Sequence, residues 1–258
     1  MAQPRAKKSL GQHFLTQRSI CERIVGLLHS TADDNIIEIG PGPGALTSIL
    51  QELPIRQLIL LEKDTHWARE RHKRGNARTQ AVLTDALTMD WSRIQPNKPW
   101  KIIGNLPYNV ASPLIWDIVS QCSGLQRAVF MVQKEVGERL AAAPSCKDYG
   151  GLSVWVQSYV KPTWGFTVGP GAFSPPPKVD SAVLSFVPLP KEDLPKQPEK
   201  LAKLIKLCFQ QRRKQLGSIF RQQGLSALAA RLPELGIEPQ LRPENLSPQQ
   251  FQAIAALC

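Results

Sequence analysis

The chain has 258 residues, 42% of them hydrophobic and 21% charged, which suits one large domain or one large domain plus a small appendage, with a core that needs no disulfides. Its five cysteines show no C-x-x-C spacing and its four histidines no H-E-x-x-H pattern, which argues against a zinc site. The net charge of +11 favours a polyanionic partner, of which nucleic acid is the commonest.

The amino-terminal stretch "MAQPRAKKSLGQHFL" lacks the apolar segment of a signal peptide, and no stretch approaches the length of a membrane span. The cysteines are expected to be free thiols in a reducing compartment. We therefore expect a cytoplasmic protein with no membrane partner and no bound metal.

The first part of the chain alternates helical and strand patterns. A helix is predicted in "SICERIVGLLHS", and "NIIEIGPGPGALTSILQEL" predicts a short strand, a glycine-rich turn and a helix that opens near Ala45. Buried strands are predicted in "RQLILLEKD", "AVLTDALTMD", "WKIIGNLPY" and "RAVFMVQKEVGERLAA", the last of which runs into a helix. This alternation predicts the α/β class, with a mainly parallel, doubly wound, Rossmann-like sheet.

The later part of the chain changes character. "VWVQSYVKPTWGFTV" predicts one or two further strands and "DSAVLSFVPL" another, and an antiparallel edge is one way to place them. After Pro188, "PLPKEDLPKQPEK" is rich in proline and charge, which is typical of a linker. The patterns beyond it are all helical, so we predict a first domain over 1–190 and a small all-helical domain over 191–258.

A glycine-rich loop marks a cofactor site. Gly40, Gly42 and Gly44 stand between a strand and a helix, where glycines permit a tight turn and a close approach of ligand to backbone. Glu62 closes the next strand 20 positions after Gly42. An acid at this place can accept both ribose hydroxyls of an adenosine-containing cofactor.

The acids around this loop favour S-adenosylmethionine over a dinucleotide. Gly40, Gly42 and Ala45 formally fit the G-x-G-x-x-G/A pattern of nicotinamide enzymes. However, Glu38 before the loop is expected to face the amino-acid end of a cofactor, and Asp85 after the third strand is expected to accept an adenine amino group. Acids at three consecutive strand ends suit a cofactor with a cationic end, a ribose and an adenine, but no pyrophosphate.

The segment "NLPY" after the fourth strand suits methylation of an exocyclic amine on a base. The amino nitrogen of adenine is a poor nucleophile, and acceptors aimed at its protons favour a tetrahedral nitrogen with an available lone pair. Asn105 Oδ1 and the Leu106 carbonyl, oriented by Pro107, are the predicted acceptors. Tyr108 is expected to stack on the base, a contact worth about 1–3 kcal/mol.

Six motifs together resemble those of a known family, the ribosomal RNA adenine N6-dimethyltransferases, and the small-subunit group is nearest. In chain order they are "KKSLGQHFL", "EIGPGPGALT", "LLEKD", "TDAL", "GNLPYN" and "AFSPPPKVDSAV". The resemblance covers almost the whole chain. It implies a catalytic domain over 1–190 that binds S-adenosylmethionine, and an RNA-binding helical domain over 191–258.

The resemblance also implies the site residues. The donor site would comprise His13, Leu15, Gly40, Glu62, Asp85 and Asn105. The catalytic set would comprise Asn105, Leu106, Pro107, Tyr108 and Phe173, with Phe173 helping to hold a flipped base. Phosphate contacts are predicted at Arg5, Lys7, Lys8, Arg212, Arg213 and Lys214.

The implied activity is N6,N6-dimethylation of two adjacent adenosines in a hairpin near the 3′ end of small-subunit (16S) rRNA, as part of ribosome biogenesis. The implied partner is this rRNA within a partly assembled 30S particle, and the protein is expected to act as a monomer. Two alternatives remain open. One is a large-subunit (23S) rRNA adenine dimethyltransferase that confers macrolide resistance, and the other is a non-catalytic rRNA-binding assembly factor.

Overall fold

A computed structural model describes residues 12–258 of the chain. These residues divide into two compact units. The first comprises residues 12–137 and 162–188, and the second comprises 138–161 and 189–258. The second unit therefore includes a segment, 138–161, that lies well before the linker from which the sequence predicted the boundary.

The first unit is built on a sheet. Within residues 12–258 the strands are β1 (Phe14–Leu15), β2 (Asn35–Ile39), β3 (Gln57–Glu62), β4 (Thr79–Leu83), β5 (Trp100–Asn105), β6 (Leu125–Gln133), β7 (Val160–Val168), β8 (Phe173–Ser174) and β9 (Ser181–Pro188). The large sheet has the order β4-β3-β2-β5-β6-β9-β7, while β1 and β8 pair with each other. The pairs from β4 through to β6 are parallel, and β9 runs antiparallel to β6. The predicted doubly wound α/β fold is confirmed.

The order of the strands creates a crevice between β2 and β5. The chain places β3 and β4 on one side of β2 and then returns to place β5 on the other side. The loops after β2 and β5 consequently leave the sheet in opposite directions, and ligands bind at such a switch point in open α/β sheets. All five residues of β2 are buried, as is typical of a central parallel strand covered on both faces.

Residues 12–258 also contain ten α-helices. They are α1 (Arg18–Gly26), α2 (Ala45–Glu52), α3 (Thr65–Lys73), α4 (Ala111–Gln121), α5 (Lys134–Ala141), α6 (Gly151–Gln157), α7 (Pro198–Gln210), α8 (Leu216–Gln222), α9 (Ser226–Arg231) and α10 (Pro248–Leu257). No helix in this range is long and apolar enough to cross a membrane. The segment 191–258 is helical without strands in the structure, as its patterns predicted.

One or two strands were predicted in "VWVQSYVKPTWGFTV", and the structure has one. Residues 154–157 belong to α6, and the strand in this segment is β7. A short run of buried apolar residues fits a strand or a buried helix equally well. The Gly150 N–H donates a 3.0 Å hydrogen bond to Ser153 Oγ at the start of the helix, and α6 packs against α7 and α10. This packing also explains why residues 138–161 belong to the helical unit.

Candidate active site

A cavity lies at the carboxyl ends of β2, β3, β4 and β5 in the first unit. Its empty volume is about 980 Å³, which includes space open to solvent. Eight of the predicted site residues line it: His13, Gly40, Glu62, Asp85, Asn105, Leu106, Pro107 and Tyr108. The predicted donor and acceptor motifs therefore face one shared space.

The glycine loop forms one wall of the cavity. Gly42 has φ +49°, a left-handed conformation that side chains rarely adopt, and a Cβ there would come within 3.0 Å of the Phe14 ring. Gly44 has φ +94°, and a Cβ there would overlap the Arg71 guanidinium at 1.9 Å. The loop therefore turns tightly without side chains at these points, and the N–H groups of its three glycines donate to the Leu61 carbonyl, the Glu62 carboxylate and the Pro41 carbonyl.

The Glu62 carboxylate is held by two backbone donors. Gly42 N–H donates to Oε2 at 2.9 Å, and Asp64 N–H donates to Oε1 at 2.8 Å. The side chain is buried, and this burial raises the pKa of Glu62. Each carboxylate oxygen has a second lone pair, so the carboxylate can accept two further hydrogen bonds while its orientation stays fixed.

Asp85 is the second acid on the cavity wall. Its Oδ1 accepts a 3.1 Å hydrogen bond from Leu87 N–H, and its Oδ2 forms a 2.6 Å ion pair with Lys63 Nζ. The ammonium of Lys63 lowers the pKa of Asp85, which keeps this carboxylate ionised. An ionised acceptor is the form that an adenine amino group requires.

Asn105 is oriented by the amino-terminal segment. Its Nδ2 donates a 2.8 Å hydrogen bond to the His13 carbonyl, so Oδ1 is the end of the amide that can accept. The adjacent Leu106 N–H donates to the Met131 carbonyl at 3.0 Å, which fixes the backbone that follows β5. The end of β5 thus presents acceptor oxygens in a defined orientation.

The rings of Tyr108 and His13 lie together on the cavity wall. The Tyr108 hydroxyl forms a 2.7 Å hydrogen bond with Ser181 Oγ, and the His13 ring stacks on Tyr108 with ring centroids 5.6 Å apart. His13 Nδ1 lies 2.8 Å from the Pro175 carbonyl, which selects the tautomer with a proton on Nδ1. His13 therefore contacts the acceptor segment as well as the predicted donor side.

His13→Ala is expected to lower the turnover number of methyl transfer by roughly three- to tenfold, because it removes a stacking contact and one hydrogen bond. The His13 carbonyl remains, so the bond from Asn105 is weakened but not deleted. Steady-state kinetics would measure the change, and His13→Phe should restore part of the rate because it keeps the ring. An alanine variant with wild-type kinetics would contradict this positioning role.

Leu15 and Phe173 do not line the cavity. They are cross-strand partners in the β1–β8 pair, with side chains 7% and 5% exposed, and both belong to the hydrophobic core. The sequence predicted contact with donor and base, respectively. The structure places their side chains in the core instead, because pairing of β1 with β8 turns both inward.

Glu38 also lies away from the cavity wall, contrary to its predicted position at the amino-acid end of a cofactor. It is 1% exposed, and its Oε2 accepts a 2.7 Å hydrogen bond from Thr47 Oγ1 at the start of α2. Burial raises the pKa of Glu38 to about 7. Its hydrogen bond links β2 to the first turn of α2, the two elements on either side of the glycine loop.

The free energy of unfolding should therefore depend on the protonation of Glu38. Its pKa in the folded protein lies above the ordinary 4.5, so the folded state keeps a proton that the unfolded chain loses between pH 4.5 and about 7. We expect stability to fall by about 1 kcal/mol per pH unit over this interval. Urea titrations should show a flatter profile in Glu38→Gln and an unaltered one in Glu22→Gln, an exposed acid of α1. A Glu38→Gln profile as steep as that of the wild type would contradict this.

The cavity also includes residues that the sequence analysis did not assign. They are Gln12, Phe14, Ile39, Leu61, Lys63, Thr84, Ala86, Leu87, Asn109, Val110 and Leu114. Lys63 matters most among them because of its ion pair with Asp85. Its position inside "LLEKD", directly after Glu62, was the available signal. Residues 12–258 contain no group of three or more His, Cys, Asp or Glu side chains arranged to hold a metal ion.

An adenosine-cofactor site that shares its space with acceptors for an amine defines a methyltransferase of the Rossmann-like class. The sequence profile of the family described as ribosomal RNA adenine dimethylase matches residues 3–258. The chain is 56% identical over 254 residues to the ribosomal RNA small subunit methyltransferase A of Nitratidesulfovibrio vulgaris (strain DP4), covering 97% of this chain and 96% of the relative. The chain belongs to the ribosomal RNA adenine dimethylase family.

Solved structures agree with this assignment. A dimethyladenosine transferase from Plasmodium falciparum superposes with a TM-score of 0.83 at 25% identity, covering 94% of this chain and 96% of that one. A 23S rRNA methyltransferase superposes with a TM-score of 0.71 at 23% identity, covering 94% and 98%. The second likeness shows a shared fold.

Proposed function

We propose that this protein transfers methyl groups from S-adenosylmethionine to the N6 amino groups of two adjacent adenosines in a hairpin near the 3′ end of small-subunit rRNA. The observation that carries the proposal is Asn105. Its amide nitrogen is bound to the His13 carbonyl, and its oxygen is available beside both the glycine loop and Tyr108. Such an acceptor serves an amine substrate, whereas a protein that binds RNA without modifying it has no need of one.

The residues around the cavity fit S-adenosylmethionine. Gly40 and Gly42 line the cavity without side chains, so a ligand can approach the loop backbone closely, and Glu62 keeps two lone pairs for ribose hydroxyls. Asp85 is ionised and is suited to an adenine amino group. When bound, this donor supplies an electrophilic methyl group on a sulfonium. No pyrophosphate needs to be accommodated, in keeping with the two acids, Glu62 and Asp85, on the cavity wall.

The acceptor chemistry follows from the segment after β5. Asn105 Oδ1 and the Leu106 carbonyl accept the two amino protons of the target adenine, which directs the nitrogen lone pair away from the ring. Tyr108 offers a flat face for the base, and its hydroxyl is anchored on Ser181. The amine becomes acidic once it is methylated, so its proton passes to water without a strong base.

The RNA must bring an unstacked adenine to this cavity. A base inside a helix cannot reach a pocket at a sheet edge, so the target is expected to leave its stack. The helical unit contributes basic residues for phosphate contacts, although Arg212 is committed to Glu244 and the Lys147 carbonyl. Arg213 and Lys214 are exposed and suit this role better. Arg5, Lys7 and Lys8 lie outside the described residues.

The proposal includes a setting. The protein acts in the cytoplasm as a monomer, and its substrate is a partly assembled 30S particle. A particle is required because a pocket that reads one adenine needs a wider RNA surface to choose its target. The small-subunit relative at 56% identity favours this reading over modification of large-subunit rRNA. The structure of a 23S rRNA methyltransferase shares the fold at lower identity.

The test is a methylation assay with purified protein, S-adenosylmethionine and 30S particles that lack the modification. Digestion of the rRNA and mass spectrometry of its nucleosides should reveal N6,N6-dimethyladenosine that depends on both donor and protein. A parallel reaction on a short isolated hairpin should be far less efficient. Absence of dimethyladenosine from the particle rRNA with folded, donor-binding protein would reject the proposed function.

A further inference from the structure

The positive charge of the first unit is concentrated in one segment. Residues 63–78 contain six Lys and Arg against two Asp and Glu, a net charge of +4. The rest of this unit within 12–137 and 162–188 contains nine Lys and Arg against eleven Asp and Glu, a net charge of −2. Among the described residues, this segment is thus the source of the positive charge in the unit that carries the cavity.

Much of this charge lies on the exposed face of α3 and just beyond it. Arg69, Lys73 and Arg74, which we call the α3 surface, are all exposed. Lys73 and Arg74 share one acid, Glu70, at 3.3 and 3.8 Å. Within residues 12–258 no acid lies within ion-pair distance of Arg69. The surface therefore keeps a surplus of cations over the acids that pair with them.

The segment starts at the cavity. Lys63, its first residue, lines the cavity, and α3 begins two residues later and packs against β3 and β4. At 1.5 Å per residue, Arg69 lies about 6 Å and Lys73 about 12 Å along the axis from the first residue of the helix. Both distances are within reach of nucleotides that flank a base held in the cavity.

Stability of the helix alone does not require this arrangement. Cations in the last turn favour the helix dipole, but the effect is confined to that turn and is worth a few tenths to one kcal/mol. Exposed ion pairs such as those of Glu70 contribute little. Arg69 lies before the last turn, so it is not explained in this way.

We propose that the α3 surface binds the phosphate backbone of the substrate rRNA beside the target adenine, on the β3–β4 side of the cavity. This inference rests on the proposed function for the identity of the polyanion. Point charges on exposed side chains contact phosphates without reading bases, so the surface adds affinity and orientation but no sequence preference. It is a second RNA contact, independent of those predicted in the helical unit.

The test compares Arg69→Gln and the double variant Arg69→Gln/Arg74→Gln with the control Arg56→Gln. Arg56 is exposed and precedes β3, at the edge of the sheet opposite the cavity, so the control removes a charge from the same unit. Binding of each protein to 30S particles would be measured at several salt concentrations. Donor affinity by calorimetry and the thermal midpoint should match the wild type in every variant.

We expect the double variant to bind the particle roughly tenfold more weakly, and the slope of log affinity against log salt to decrease by about 0.7–0.9 for each phosphate that is no longer neutralised. The control should behave like the wild type. Unchanged affinity and slope in the double variant, or an equal decrease in Arg56→Gln, would overturn the proposal. Wild-type protein that fails to methylate rRNA would instead refute the proposed function, so the two failures are distinct.

Discussion

Replacing Asn105 with alanine is expected to lower the single-turnover rate of methyl transfer by about two to three orders of magnitude, the scale for losing one preorganised polar contact in a transition state. The amide is held ready by its 2.8 Å bond to the His13 carbonyl, so its oxygen needs no reorganisation when the amine becomes tetrahedral. Rapid-quench measurements with excess protein would report this step directly.

The same variant should still fold and bind RNA, because Asn105 lies at the end of β5 and not in the core. Its thermal midpoint and its affinity for 30S particles are the controls. A single-turnover rate within a few-fold of the wild type would show that acceptance of the amino protons by Asn105 does not drive the reaction.

Glu62→Ala is expected to weaken S-adenosylmethionine binding at least tenfold. Two ribose hydroxyls lose a charged acceptor, and hydrogen bonds to charged groups contribute roughly 1.5–3 kcal/mol each. The change also removes the acceptor for the Gly42 and Asp64 N–H groups, which loosens the glycine loop. Isothermal titration calorimetry with the donor would measure the loss.

Glu52→Ala is the matched control for Glu62→Ala, since Glu52 is an exposed acid of α2 that pairs with Arg18. It should bind the donor as the wild type does. Unchanged donor affinity in a folded Glu62→Ala protein would remove Glu62 from the donor site.

The sequence was sufficient to predict that the donor and acceptor motifs lie close together, because their proximity depends on strand order alone. The carboxyl ends of parallel strands share an edge, so acids and amides that follow successive strands converge whatever the details of packing. The structure places Glu62, Asp85 and Asn105 around one cavity, as this argument required.

Burial of Leu15 and Phe173 could not be predicted, because it depends on the pairing of two strands that lie far apart in the chain. Leu15 pairs with Phe173 through β1 and β8, and no local pattern specifies that register. Glu38 illustrates the same limit, since its bond to Thr47 comes from the way that α2 packs behind the loop. The position of each residue within its motif indicated that it lies near the site, but it did not indicate the direction in which its side chain points.

The central claim is that this protein dimethylates adenosines of the small ribosomal subunit, and a side-by-side assay on both subunits tests it most directly. Unmodified 30S and 50S particles would be incubated separately with protein and labelled S-adenosylmethionine, and the modified nucleotides would be mapped by primer extension. We predict four methyl groups per 30S particle, placed on two adjacent adenosines near the 3′ end of its rRNA, and none in the 50S particle. Incorporation into large-subunit rRNA alone, or into neither particle by donor-binding protein, would contradict the claim.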